Sequence, residues 1–189
     1  MQSAFFTKLT LGDLIFIWIS GIIFVVISLN VINNDTKKMI YDLFDNRNKS
    51  FRFVFNSNSE ADTLNFGFEF AKYFRVGDVI TLNGELGTGK TVFVKGIGKF
   101  FNIKEDISSP TFTIVNEYNA KNINIYHFDV YRLSDVDDFV ETIGTDYFGN
   151  GVSLIEWGNM IDEILPRNTI HIDFIKNKDD SRSITVWRK

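Results

Sequence analysis

A glycine-rich segment in the middle of the chain has the residue types that bind phosphate. Its sequence, GELGTGKT over residues 84–91, fits the pattern G-x-x-x-x-G-K-[ST]. Glycines let successive backbone N–H groups point at phosphates, the lysine reaches the terminal phosphates, and the last hydroxyl can bind Mg²⁺. The residues expected to form this phosphate site are Gly84, Glu85, Leu86, Gly87, Thr88, Gly89, Lys90 and Thr91.

Two acids at the ends of apolar segments could complete such a site. Glu156 ends the segment VSLIE, which has the pattern of the acid on the metal side of a P-loop site. Asp129 lies in YHFDVYR, where the alternation of a strand places it on one face with His127 and Tyr131. Each acid could equally be an ordinary solvated strand end, because neither pattern is specific by itself.

A segment rich in serine and threonine, SSPTFT over residues 108–113, supplies further hydroxyl groups. Such a cluster is more often an ordinary loop, but it also resembles a switch segment whose hydroxyl approaches the γ-phosphate and the metal. His127 and His171 do not have the spacing of metal ligands.

The elements expected around these residues predict an α/β fold. An apolar strand over 78–82 precedes the glycine-rich turn, and a helix from residue 90 to about 101 would turn its N-terminus toward the phosphates. Other strands are expected at 51–55, 111–117, 124–131, 152–156, 169–175 and 183–187, and helices after Ser59 and at 135–142, 145–148 and 160–164. Strands alternating with helices predict a P-loop NTPase-like mixed β-sheet flanked by helices.

The composition excludes several other chemistries. The chain has 189 residues, no cysteine and a formal net charge of −4. The absence of cysteine excludes disulfides, thiolate zinc sites and cysteine nucleophiles. The acidic balance excludes a polybasic protein that holds nucleic acid by charge alone.

The N-terminal part of the chain is strongly apolar. Residues 14–34 contain no charged side chain, and the core over 14–32 is long enough for a single transmembrane helix. A buried core helix is one alternative, and a start codon placed too far upstream, with Met39 as the true start, is another. Basic residues follow the apolar run, so the positive-inside rule would place the rest of the chain in the cytoplasm, anchored to the inner face of the cell membrane.

These observations predict three parts. We expect an N-terminal extension over 1–38 that carries the candidate transmembrane helix, a linker over 39–50, and a P-loop domain over 51–189.

Four motifs taken together point to one family. GELGTGKT, SSPTFTIVNEY, YHFDVYRL and LIEWGN, in this order and spacing, closely resemble the TsaE family of small bacterial P-loop ATPases over about residues 53–188. The resemblance implies an ATP hydrolase, weak alone, that is required for threonylcarbamoylation of adenosine 37 in tRNAs reading codons that begin with A. It also implies ATP and Mg²⁺ as cofactors and the transferase subunits TsaD and TsaB as partners, with tRNA contacted through their complex.

The resemblance assigns roles to particular residues. It implies that Lys90, Thr111, Asp129 and Glu156 act in catalysis, and that Thr91 and Glu156 bind Mg²⁺. Trp157 stands where the family has a tryptophan and is expected to contribute to the nucleotide site, although simple packing would also explain it.

Two other functions are open at this point. One is a P-loop kinase for a small molecule, which would need a lid rich in arginine, whereas the central region offers chiefly Arg132. The other is a non-catalytic, membrane-anchored nucleotide-binding scaffold, against which the complete set of Lys90, Thr91, Asp129 and Glu156 argues.

Overall fold

A seven-stranded mixed sheet organises the part of the chain that the computed structural model describes, which is residues 32–120 and 122–189 together with the backbone of 16–19 and 22–25. The strands are β1 (Phe16–Ile19), β2 (Ile22–Val25), β3 (Phe51–Ser57), β4 (Val79–Asn83), β5 (Val115–Ala120), β6 (Ile123–Asp129), β7 (Val152–Glu156), β8 (Ile170–Lys176) and β9 (Arg182–Arg188). The helices are α1 (Asn34–Asp45), α2 (Glu60–Ala71), α3 (Lys90–Phe100), α4 (Val136–Thr142), α5 (Tyr147–Asn150) and a 3₁₀ helix over Gly158–Ile164.

The strand order places the candidate site residues at one edge of the sheet. The order is β3-β9-β8-β4-β7-β6-β5, with β8, β4, β7 and β6 parallel and the outer strands antiparallel. Leu82 of β4 is the register partner of Glu156, and Glu156 is the partner of Asp129. The carboxyl ends of these three strands therefore bring the phosphate loop and both acids together, as expected for an α/β sheet.

Side-chain alternation along the central strands supplies two hydrophobic cores. Ile80 and Leu82 face a core shared with α1, α2 and α3, whereas Val79 faces a second core with α4 and the 3₁₀ helix. Parallel strands covered on both faces are mostly apolar, and β4 and β7 are buried along almost their whole length and consist mainly of apolar residues. The mixed sheet with flanking helices confirms the predicted fold class.

Helices α2 and α3 lie unusually close because glycines face each other's backbone. A side chain at Gly67 would overlap the carbonyl oxygen of Phe93, and one at Gly96 would overlap that of Leu64. This contact holds α3 against α2, and α3 begins at Lys90 of the phosphate loop.

The segment expected to end the extension and form the linker is largely a helix that packs on the domain. In α1, Asn33 caps the N-terminus by accepting a hydrogen bond from the backbone N–H of Thr36, and Ile40, Leu43 and Phe44 are buried in the first core. The spacing of these three apolar residues places them on one helix face, which is the reason the segment folds onto the domain.

Arg188, in the last strand, ties that helix to the rest of the domain. Its guanidinium donates hydrogen bonds to the carbonyl oxygens of Leu43, Asn46 and Lys49 at distances of 2.6–3.1 Å. Arg47 forms an ion pair with Asp78 at the start of β4. The residues after α1 are thus joined to the end of β9 and to the residue that precedes β4.

The candidate transmembrane helix over 14–32 is not supported. Within that segment, β1 and β2 pair as antiparallel strands, and most of the other residues there lie outside the described residues. The isoleucine, valine and aromatic residues of these two stretches favour strands, which is the physical reason for the difference. Among the described residues, no helix is both long and apolar enough to cross a membrane.

One strand begins later than the sequence predicts. The strand expected from residue 111 starts at Val115, because residues 110–114 form a tight turn in which Pro110 accepts hydrogen bonds from the backbone N–H groups of Thr113 and Ile114. This turn carries Thr111 toward the sheet edge where the acids lie.

Candidate functional site

The phosphate loop connects β4 to α3 and has the conformation that only glycine adopts easily. Gly84 and Gly89 have φ values of 139° and 106°. At Gly84 a side chain would also overlap the carbonyl oxygen of Phe174, so both the dihedral angle and the space require glycine. Thr88 closes the loop by donating from its hydroxyl to the carbonyl oxygen of Glu85 at 2.8 Å.

Lys90 is nearly buried at the start of α3. Its ammonium donates to the carbonyl oxygens of Gly84 and Glu85 at 2.7 and 3.1 Å, and it lies 4.5 Å from the ring centre of Trp157. Burial lowers the pKa of Lys90, while the carboxylates of Glu156, Asp129 and Glu85 act in the opposite direction. A cation in this poorly solvated position interacts strongly with an anionic ligand.

Glu156 is joined to both neighbouring elements of the site. Its Oε1 accepts a hydrogen bond from the hydroxyl of Thr91 at 2.9 Å and lies 3.0 Å from Nε2 of His127. Only 3% of Glu156 is exposed. The phosphate loop and the end of β7 therefore share a direct polar contact.

Asp129 is held by the serine- and threonine-rich segment. Its Oδ2 accepts hydrogen bonds from the hydroxyls of Ser109 and Thr111 at 2.6 and 2.7 Å, and its Oδ1 accepts from the backbone N–H of Tyr131 at 3.1 Å. Three donors to one carboxylate fix its orientation. The segment that the sequence left open as an ordinary loop is thus part of the site.

Trp157 lies beside the site in a left-handed backbone conformation, with φ 64°. Its backbone N–H donates to the carbonyl oxygen of Leu82 at 2.9 Å, and its ring lies 4.8 Å from that of Tyr131. The ring covers the ammonium of Lys90, so Trp157 forms a wall of the cavity and does more than fill the core.

A cavity of about 320 Å³ opens between these groups. It is lined by Glu60, Leu86, Gly87, Gly89, Lys90, Thr91, Val92, Ser109, Thr111, Asp129, Glu156, Trp157 and Arg182. Gly84, Glu85 and Thr88 belong to the loop but do not line the cavity, and Leu86 is almost fully exposed at its tip. The predicted site residues otherwise converge on this one space.

Comparisons with known proteins identify the family of the chain. The sequence model of the family described as "Threonylcarbamoyl adenosine biosynthesis protein TsaE" matches residues 57–184. The chain belongs to the TsaE family. The sequence that carries this assignment includes the phosphate loop, both acids and Trp157.

Individual members of the TsaE family are similar over most of the chain. A TsaE protein of Bacillus subtilis is 45% identical over 117 residues, which cover 61% of this chain and 72% of that one. One from Treponema pallidum is 40% identical over 132 residues, covering 69% and 96%. Both are named tRNA threonylcarbamoyladenosine biosynthesis proteins.

A solved structure gives the same result for the fold. The crystal structure of Bacillus subtilis YdiB superposes with a TM-score of 0.62 and is 33% identical, covering 74% of this chain and 87% of that one. The family match begins after α1, at residue 57.

The residues of this site fit a Mg²⁺ ion that would bind together with phosphates. Mg²⁺ prefers oxygen ligands and usually retains several waters. The Thr91 hydroxyl and the Glu156 carboxylate are 2.9 Å apart, and no described residue donates a hydrogen bond to Oε2 of Glu156. Oε2 of Glu156 and the hydroxyl oxygen of Thr91, both from residues that line the cavity, are therefore available as ligands.

Four polar residues that line the cavity or contact its side chains were not selected from the sequence. Ser109 is in the hydroxyl-rich segment that predicted Thr111, and that segment could have indicated it. His127 is in the strand that predicted Asp129, and the alternation of that strand could have indicated it. Glu60 and Arg182 reach the cavity from α2 and β9. Their distance in sequence from the phosphate loop left no local pattern to find them.

Proposed function

We propose that this chain hydrolyses ATP with Mg²⁺ in support of threonylcarbamoylation of adenosine 37 in tRNA, together with the TsaD and TsaB transferase subunits. The observation that carries the proposal is the 2.9 Å hydrogen bond between Thr91 and Glu156. It joins the phosphate loop to the acid at the end of β7, as a P-loop hydrolase requires. Membership of the TsaE family supports the connection to tRNA.

Phosphate binding would rest on the loop and on Lys90. Backbone N–H groups at the N-terminus of α3 and the Lys90 ammonium would face the β- and γ-phosphates. Negative charge that develops on the transferred phosphoryl group would be stabilised by the same groups. Mg²⁺, held by Thr91 and Glu156, would supply further positive charge at the phosphates.

Asp129 would orient the attacking water. Its carboxylate lies at the strand end next to Glu156 and is fixed by Ser109 and Thr111. A carboxylate held in this way can accept a hydrogen bond from water without changing its own position. Thr111 would keep the switch-like segment close to the γ-phosphate.

The partners and the location follow from the same chemistry. ATP and tRNA are cytoplasmic, so we place the activity in the cytoplasm. With a net charge of −4, the chain would share any contact to tRNA with TsaD and TsaB.

The threonylcarbamoyladenosine content of bulk tRNA tests the proposal. In a strain that lacks the gene, the wild-type chain should restore the modification and Asp129→Ala should not. Asp137→Ala is the matched control, since Asp137 is an exposed acid in the first turn of α4. Normal modification in the strain without the gene would contradict the proposal.

An assay of ATP turnover separates the two other functions. Turnover that rises when TsaD and TsaB are added supports the proposal. Turnover that rises only with a small acceptor molecule would identify a kinase, and binding of ATP without turnover under any condition would identify a scaffold.

A further inference from the structure

His127 lies directly behind the carboxylate that faces the phosphate loop. It is in β6, two residues before Asp129 on the same face, and its side chain is fully buried. Because Asp129 is the register partner of Glu156, the imidazole reaches diagonally across to Glu156. The distance from its Nε2 to Oε1 is 3.0 Å.

The surroundings of the ring determine which nitrogen carries the proton. An ionised carboxylate only accepts hydrogen bonds, so Nε2 must be the donor. Nδ1 is buried and has no hydrogen-bond partner among the described residues. A proton on Nδ1 would be a buried donor without an acceptor, which costs more than a buried lone pair left unpaired. The contacts therefore favour a neutral ring protonated on Nε2.

Both hydrogen bonds to Glu156 converge on one oxygen. Thr91 and His127 donate to Oε1, and no described residue donates to Oε2. The Thr91 hydroxyl is also expected to bind Mg²⁺. Its hydrogen bond to Glu156 would then be weaker in the metal-bound protein than in the metal-free protein. The imidazole, which is buried in the sheet, is the donor that can hold Oε1 throughout.

We propose that His127 is a positioning residue that fixes Glu156 so that Oε2 faces the Mg²⁺ of the bound nucleotide. This inference rests on the proposed function, since it concerns the metal of that site. Mutation of a residue that hydrogen-bonds to a metal-ligating carboxylate typically lowers the metal affinity by about 10–100-fold. His127 acts through Glu156 and does not contact the nucleotide.

The test measures binding of a fluorescent ADP analogue in EDTA and at increasing Mg²⁺ concentrations. Without Mg²⁺, His127→Leu should bind the analogue as the wild type does, because the phosphate loop is unchanged. The Mg²⁺ concentration that gives half of the metal-dependent gain in affinity should rise about tenfold. His127→Gln, whose side-chain amide can donate at a similar reach, should recover most of that loss.

His171 provides a matched control, because it is the only other histidine in the chain. It is also buried, lies in a neighbouring part of the sheet and contacts Thr81 and Trp187, and it does not line the cavity. His171→Gln should leave the Mg²⁺ requirement unchanged. Nitrogen-15 spectra of the wild type, assigned with the two glutamine variants, should show His127 protonated on Nε2. This measurement uses the wild-type chain and does not depend on whether His127→Leu folds well.

Three outcomes would overturn the inference. The first is an unchanged Mg²⁺ requirement in His127→Leu, and the second is an equal loss of affinity with and without Mg²⁺, which would indicate a purely structural role. The third is a proton on Nδ1 of His127 in place of Nε2. A failure of the proposed function is distinguishable from a failure of this inference alone. In that case the wild type itself would gain no affinity for nucleotide from Mg²⁺, which would overturn both the proposed function and the inference.

Discussion

The hydroxyl of Thr91 donates a 2.9 Å hydrogen bond to Oε1 of Glu156, across 65 residues of sequence. Thr91 is in the first turn of α3 and Glu156 is the last residue of β7. The contact exists because β4 and β7 are parallel neighbours whose carboxyl ends coincide. It joins the phosphate loop directly to the acid at the end of β7.

Replacement of that acid tests its role toward the metal. Glu156→Gln keeps an oxygen for the Thr91 hydroxyl but removes the negative charge that would bind Mg²⁺. We expect the variant to need about tenfold or more Mg²⁺ for half-maximal ATP hydrolysis. Glu163→Gln, an exposed acid in the 3₁₀ helix, is the control. An identical Mg²⁺ titration in Glu156→Gln would reject the metal role.

The contribution of α1 predicts where the domain must begin. A chain that starts at Asn33 keeps the helix cap and the whole of α1, whereas one that starts at Met39 loses the cap, the first turn and the buried Ile32. Because the chain that starts at Asn33 also lacks Ile32, the difference in stability between the two chains measures the contribution of the cap and the first turn. We expect the Met39 chain to be less stable by about 1–2 kcal/mol, measured by urea unfolding. Equal urea midpoints would show that the cap and the first turn of α1 contribute nothing to the stability of the domain.

The close approach of α2 and α3 predicts a large effect from one methyl group. In Gly96→Ala the new Cβ would overlap the carbonyl oxygen of Leu64, and backbone atoms cannot move aside as a flexible side chain can. We expect a loss of about 1–3 kcal/mol in the free energy of unfolding. Gly149→Ala is the control, because no atom lies within 4 Å of the added group. A loss of the same size at both positions would contradict this account of the helix contact.

His171 predicts how stability depends on pH. Burial lowers the pKa of His171 from its ordinary value of 6.5; the charges of Asp162, Lys189 and Asp173 are smaller influences. As the pH falls through about 6.5, the unfolded chain takes up a proton that the folded chain does not, so this residue makes the protein less stable until the folded pKa is reached. Urea unfolding between about pH 7.5 and pH 5.5 measures the slope, which should be smaller in His171→Gln. Equal slopes would show that His171 does not titrate differently on folding.

Local sequence patterns were sufficient to predict those elements that a single short segment defines. The strand Val152–Glu156 and the helix start at Lys90 were predicted at the residues where the structure has them. In both cases a short apolar run or a glycine-rich turn defines the element without help from distant residues. The same holds for the phosphate loop.

Features that depend on long-range packing were not predicted. The hydrogen bonds of Ser109 to Asp129 and of His127 to Glu156 depend on the pairing of β6 with β7 and on the turn at Pro110. The polar residues of α1 suggested a linker, although Ile40, Leu43 and Phe44 have the spacing of a buried helix face. The polar composition of that segment led to the linker prediction, although the apolar periodicity of a helix was present in the sequence.

The rate of ATP hydrolysis by Lys90→Ala, measured with Mg²⁺ in the presence of TsaD and TsaB, tests the central claim most directly. Under the proposed function Lys90→Ala removes the cation that would face the phosphates, and the rate should fall by about 100-fold or more. Lys95→Ala, an exposed lysine in the same helix, should retain the wild-type rate. Unchanged hydrolysis in Lys90→Ala would contradict the account.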